Sequence, residues 1–271
     1  MTKYYGIDLA WGEGSASKRA SETGVVCLRD DGRILEAGWT VGIDETVRWI
    51  METIEVGDTV AIDAPLVVIN PSGMRDCERQ VGQRYGKWKV SANSTNLTRT
   101  SLGGVKLRER LENLGLIYDD GVKPLAASHT NVFECYPYTA IVGAEELGYD
   151  IERPRYKRPD TRLPLAERRL ARAAAFDELV WRIVDLKAAT VPVDVMSHPL
   201  TADLANSPSP LAASEYKHRE DLLDAVLCAW TAGLWSKHKL DRCQVLGTES
   251  EPDAQGRRAT IIAPARPEQR R

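Results

Sequence analysis

Tyr4-Tyr5-Gly6-Ile7-Asp8-Leu9-Ala10-Trp11 is the stretch on which the fold turns. Side chains of an extended segment alternate between two faces. Tyr5, Ile7, Leu9 and Trp11 therefore share one face, and Gly6, Asp8 and Ala10 the other. The acid stands among small neighbours, with open space above its carboxylate. Working outward, SETGVVCLRD (21–30) and ILEAGWTV (34–41) read as two more strands, separated by Asp31-Gly32-Arg33. Asp-Gly is a strong hairpin signal, so the chain opens with three short antiparallel strands. DETVRWIMETIE (44–55) predicts a helix with Asp44 as N-cap and an apolar stripe of Val47, Ile50, Met51 and Ile54. TVAIDAPL (59–66) is the fourth strand; Pro65 ends it and leaves Asp63 at its carboxyl edge. A helix between two strands implies a crossover and parallel pairing.

Residues from Asn70 to about 128 read as a helical insertion: GMRDCERQVGQRYG (73–86) with Arg75, Glu78 and Arg79, a polar loop SANSTNLTRTS (91–101), and a second helix in GGVKLRERLENLGL (103–116). TNVFECYP (130–137) returns to strand character, with Glu134 near its end and Pro137 opening a helix. A basic, irregular segment (153–162) precedes a long Ala- and Leu-rich helix (163–189), and PLTADLANSPSPLAASEY (199–216) reads as a loop. KHREDLLDAVLCAWTAGLWSKHK (217–239) reads as a strong amphipathic helix; CQVLG and RATIIAP are short strands. The expectation is one α/β domain over 1–264, a mixed central sheet flanked by helices, and a disordered tail over 265–271.

The 271 residues are 43% hydrophobic and 28% charged, with a formal net charge of -3; mean hydropathy is -0.34. That describes a soluble globular protein with a substantial core. It argues against unselective coating of long nucleic acid, which calls for a strongly basic surface, but is compatible with a short or structured nucleic acid on a local basic patch. Cys27, Cys77, Cys135, Cys228 and Cys243 are scattered without a CxxC pair, which implies reduced thiols in the cytoplasm. No signal-peptide-like apolar run opens the chain, and no stretch approaches the ~18 apolar residues of a membrane span.

The candidate chemistry is acidic. Asp8 lies in the first strand, Asp63 ends the fourth and Glu134 is near the end of the fifth; Asp221 and Asp224, three apart, project from one face of the late helix. Open α/β sheets collect ligands outside the carboxyl ends of their strands. Gathered carboxylates repel unless a cation neutralises them, and an oxygen-only set selects Mg²⁺ or Mn²⁺. Two such ions ~4 Å apart can activate water and stabilise the leaving oxygen of a phosphodiester. Each acid also has an ordinary reading. Asp8 can pair with a base, Asp63 can cap the next segment, and Glu134 can salt-bridge the Arg75 or Arg79 region. Asp221 can complement a helix dipole. Asp224 fits such a reading worst, because Ala225-Val226-Leu227-Cys228-Ala229 places it in an apolar stretch where an unpaired acid is costly.

GIDLAWG (6–12), AIDAPL (61–66), GMRDCERQ (73–80), FECYP (133–137) and HREDLLDAVLCAW (218–230), in this order, resemble the DUF429 family, a group of predicted nucleases with the ribonuclease H fold. The resemblance runs from Tyr4 to about Trp230. It implies a ribonuclease H-like fold, with metal-ligand roles for Asp8, Asp63, Asp221 and Asp224 and a less defined catalytic role for Glu134 in the E-x-Y-P segment. Holliday-junction resolvases of that superfamily carry a DxxDA helix similar to Asp221–Ala225. One departure is that both central strands carry Asp where many two-metal nucleases place a Glu, which draws an ion toward the backbone by about one methylene.

Supporting residues also carry two readings. Arg153, Arg155, Lys157, Arg158 and Arg162 can contact phosphates, or line a solvated loop; Tyr156-Lys157 can add base stacking. Arg75 and Arg79 can bind phosphate, or serve Glu78 and Glu134 internally. His218 can move protons, Asn93 and Asn96 can read a base or form turns, and Trp11 can stack or fill the core. The leading expectation is a divalent-metal nuclease acting on DNA or RNA. The alternatives are an ATP-dependent phosphotransferase of the actin/hexokinase-like branch, with Gly6, Gly12, Gly14, Ser15 and Ser17 as a phosphate loop, and a non-catalytic binding protein on the same scaffold.

Overall fold

A computed structural model describes residues 1–12, 20–125 and 128–270. The opening alternation becomes β1 (Lys3–Asp8). The strand stops at Asp8, three residues earlier than its pattern suggested, so this carboxylate also stands at a carboxyl edge. β2 (Glu22–Arg29) and β3 (Ile34–Val41) follow. β1 pairs with β2 and β2 with β3, both antiparallel, and Asp8 lies opposite Gly24. The turn between β2 and β3 uses Gly32 at φ +94, a conformation only glycine adopts without strain. α1 (Ile43–Thr53) starts from Gly42, so Asp44 sits in the first turn rather than at the cap. β4 (Thr59–Ile62) then runs parallel to β1.

The 70–128 segment supplies α2 (Asp76–Tyr85), α3 (Gly103–Asn113) and a two-residue strand, β5 (Ile117–Tyr118). β6 (Asn131–Glu134) leads into α4 (Pro137–Gly143), with Pro137 at the first helical position as predicted. Then come α5 (Leu165–Val184), α6 (Pro199–Asn206), the 26-residue α7 (Ala213–His238), β7 (Cys243–Leu246) and β8 (Ile261–Pro264). The six-stranded sheet has the order β3-β2-β1-β4-β6-β5, and β7 and β8 form a separate antiparallel hairpin. From β1 onward through β4, β6 and β5 all pairings are parallel.

Helices cover both faces of the sheet. Tyr5, Ile7, Val60, Ile62 and Val132 pack against Val47 and Ile50 of α1 and Leu107 and Leu111 of α3. Tyr4, Ala61 and Phe133 point the other way, into the core built by α7 with α4 and α5. The period-two alternation read from residues 4–11 therefore holds through the central strands. Two glycines let α7 lie directly on the sheet. A Cβ on Gly6 would come within 2.0 Å of the Ala225 carbonyl oxygen, and one on Gly24 within 2.1 Å of the Asp221 carbonyl oxygen.

Two expectations need correction. The stretch 199–206 is helical: Pro199 starts α6, the His198 ring accepts from Leu200 N, and Thr201 and Leu204 are buried. The terminal residues are ordered through Arg270, because Arg266 Nε donates to the Val142 carbonyl at 2.9 Å and Gln269 is buried beside it. All five cysteines are buried and free. Among the described residues no helix is long and apolar enough to cross a membrane.

Candidate functional site

The register decides which acids meet. Ile7 lies opposite Ile62, and Ile62 opposite Glu134. Asp8 and Asp63 are each one residue further on, and Asp63 N still donates to Ile7 O at 2.8 Å. Both carboxylates therefore turn toward α7, on adjacent parallel strand ends. From α7 come Asp221 and Asp224, one turn apart and both buried, Asp224 with no exposed surface (0%). Asp8 and Asp221 line one cleft, and each acts on the other's carboxyl. Burial and then the neighbouring charge of Asp224 push the Asp8 carboxyl well above the usual carboxylate range. Burial raises Asp63 to about 7, with Asp224 and Glu134 adding to the rise and Lys157 opposing it. Asp221 and Glu220 are raised as well, chiefly by burial.

Glu134 is taken up by Arg75. One residue out of phase with Asp63, it accepts from Leu66 N (2.9 Å) and from Arg75 Nη1 and Nη2 (2.8 and 2.6 Å), and it shares the walls of a small cavity with Asp63. Arg75 is the buried hub of this network: its Nε donates to Glu78 at 2.9 Å and its Nη1 to the Val67 carbonyl at 3.1 Å. Its donors are thus turned inward, and of the two readings of Arg75 the structure takes internal partnership over phosphate binding. Arg79 lies on the surface, paired with Asp76.

The 153–162 segment is consumed in similar fashion. Arg153 donates to the Lys89 carbonyl (2.8 Å), Arg158 to Asn93 (3.0 Å) and Arg162 to Asp160 (2.6 Å). Tyr156 is wholly buried, so it offers no stacking face; its hydroxyl donates to Asp224 Oδ1 at 2.7 Å. Lys157 pairs with Asp224 Oδ2, which accepts no hydrogen bond of good geometry. Burial works against the Lys157 ammonium, yet Asp224, Asp8 and Asp63 together hold its pKa well above the usual value. Asn96 serves turns, donating to Gly73 O and accepting from Thr98.

A cleft of about 580 Å³ opens beside Asp8 and Asp221, with Trp11, Glu22, Lys217 and His218 in its walls. Its size suits a small ligand or a nucleotide or two. A second cavity of about 50 Å³ lies against Asp63, Tyr136 and Trp11, with room for a few waters and no more. Lys217 spans Glu220 (3.1 Å) and Asp221, partners the sequence reading passed over although i,i+3 and i,i+4 spacing from Lys217 marks both. His218 stacks on Trp39 with ring centroids 3.5 Å apart and meets Glu22 at 2.7 Å. Gly12 lines the cleft, while Gly14, Ser15 and Ser17, the other parts of a conceivable phosphate loop, lie outside the described residues.

Among the described residues no three His, Cys, Asp or Glu side chains already stand in metal-ligand geometry. The donor set nonetheless suits a hard cation. It is all carboxylate, and burial holds the carboxyls of Asp8, Asp63 and Asp221 above their ordinary range. Comparison with known proteins gives one match: residues 6–251 fit the family described as "Protein of unknown function (DUF429)". The chain belongs to the DUF429 family. Neither the curated proteins nor the solved structures contain a match.

Proposed function

We propose that this chain is a divalent-metal-dependent nuclease on a ribonuclease H-like fold. The observation that carries the reading is the convergence of the buried Asp8, Asp221 and Asp224 with the half-buried Asp63, from β1, α7 and the end of β4, beside an open cleft lined by Asp8 and Asp221. The strand order supports the fold: three antiparallel strands, then parallel ones, with a late helix across the first strand. Buried carboxylates that raise one another's pKa are costly, and a cation repays that cost.

Asp8 and Asp63, on adjacent strand ends, would hold Mg²⁺ or Mn²⁺. When bound, the ion supplies positive charge that acidifies water and stabilises a leaving oxygen. The remaining work falls to the chain. Lys217 keeps Asp221 aligned. The cleft admits a nucleic acid strand, with Trp11 as a wall on which a base can stack. Hydrolysis joins a water oxygen to phosphorus and breaks the bond from phosphorus to the sugar oxygen, which takes up a proton. The test is cleavage of single-stranded and structured DNA and RNA oligonucleotides with Mg²⁺ or Mn²⁺, by wild type and Asp63→Asn. Cleavage slowed about 100-fold or more in the variant is expected. Equal cleavage by both, or none by either, would contradict the reading.

A further inference from the structure

Asp224 is the most deeply buried acid of the centre, and consecutive residues occupy both its oxygens. Tyr156 donates to Oδ1 at 2.7 Å, and the Lys157 ammonium lies against Oδ2. This grip is anchored. The Tyr156 carbonyl accepts from the Tyr216 hydroxyl of α7 at 2.6 Å. Its ring packs on Tyr138 and Phe176, with centroids 5.4 and 6.4 Å away. The Lys157 Nζ stands 5.7 and 5.8 Å from the ring centroids of Tyr138 and Tyr156, whose faces favour a cation. A lysine side chain only 19% exposed gives up most of its hydration and persists there because carboxylates surround it. The acids that act on it are Asp224, Asp8 and Asp63 of the proposed centre, and then Glu220.

This arrangement divides the acids. Lys217 is engaged by Glu220 and Asp221, and Lys157 by Asp224. A divalent ion placed on Asp224 Oδ2 would have to displace the ammonium or sit in contact with it, and like charges at that range repel strongly in a site sheltered from water. Among the described residues neither Asp8 nor Asp63 forms an ion pair of its own, although Lys157 and Lys217 act on both from a distance.

We propose that Lys157 is the resident second cation of this centre: Asp224 is a positioning residue that holds its ammonium beside Asp8 and Asp63, and the chain takes up one divalent ion, with Lys157 supplying the other positive charge to a phosphodiester. The proposal rests on the metal reading above and deepens it. It departs from the two-ion pattern and from a ligand role for Asp224.

The experiment counts bound Mn²⁺ by the loss of its free electron-spin-resonance signal, which does not depend on turnover. Wild type is expected to bind one ion per chain and Lys157→Met two, while Lys157→Arg, which keeps the charge, returns to one. Asp224→Asn should still bind one. Two ions on wild type, one on Lys157→Met, or none on Asp224→Asn would overturn the role of Lys157 and leave a metal centre standing. No ion on wild type would remove the metal reading and this inference with it. If Lys157→Met does not fold, the counts on wild type and Asp224→Asn decide.

Discussion

Asp63 shows at the scale of one residue what the site costs the fold. Burial lifts its pKa to about 7 from a carboxylate's ordinary 3.8. Between about pH 4 and 7 the folded chain holds a proton that the unfolded chain has released, so the stability tied to this group is present below pH 4 and is lost as pH rises through 7. Asp8 acts in the same direction. Lys157, raised above its ordinary value, stays charged over this whole range and leaves the trend untouched. In chelator, wild type should therefore melt lower at pH 8 than at pH 5.5. Asp63→Asn should flatten that difference and melt about 2–6 °C higher than wild type at pH 8. A variant melting no higher at pH 8 would mean that Asp63 is not strained by its surroundings. Arg75 presents the opposite case. Arg75→Met leaves Glu134 and Glu78 buried without their cation and should cost about 3–5 kcal/mol in denaturant unfolding. Arg79→Met, on an exposed pair, should change stability by less than about 1 kcal/mol. Comparable losses for the two would refute the network. Asp8, Asp63 and Asp224 were legible in the sequence because each is an acid in an apolar or small-residue setting. For Glu134 the alternative reading, a salt bridge to Arg75, is the one the structure shows, and a one-residue phase between β4 and β6, which sequence does not reveal, separates it from Asp63. Tyr156 was misread because a tyrosine in a basic segment looks exposed until its partner, Asp224, is seen 68 positions away.

At the scale of elements, the placement of α7 makes the site. The helix lies on β1 and β2 only because Gly6 and Gly24 offer no Cβ, and this closeness brings Asp221 to the cleft that Asp8 lines. Gly6→Ala should push α7 outward: the new methyl would meet backbone atoms of Ala225 and Ala229 at 2.0 and 2.2 Å, with no side chain able to yield. A loss of about 1–3 kcal/mol is expected, together with at least tenfold weaker Mn²⁺ binding. Gly38→Ala, with nothing within 4 Å of its new methyl, should leave binding unchanged. Unaltered metal affinity in Gly6→Ala would show that helix placement does not set the site. The first strands, α1, α4 and α7 were readable from period and turn chemistry. α6 was not, since its eight residues carry Pro, Thr, Asp and Asn, and only burial of Thr201 and Leu204 makes them helical.

Over the whole molecule, a mixed sheet with helices on both faces carries the acids, and a cleft opens beside Asp8 and Asp221. The α/β class and the antiparallel-then-parallel order followed from sequence, because hairpin and crossover signals are local. The ordered C-terminal residues did not, because Arg266 is held by Val142 and Asp150, more than a hundred residues upstream. The central claim is that the gathered aspartates form a metal centre. Its most direct test is a calorimetric titration of Mn²⁺ into wild type and into an Asp8→Asn/Asp63→Asn variant whose fold is verified by circular dichroism. Saturable binding by wild type, absent in the variant, is the predicted result. No binding by wild type, even with an oligonucleotide present, or equal binding by both proteins, would contradict it.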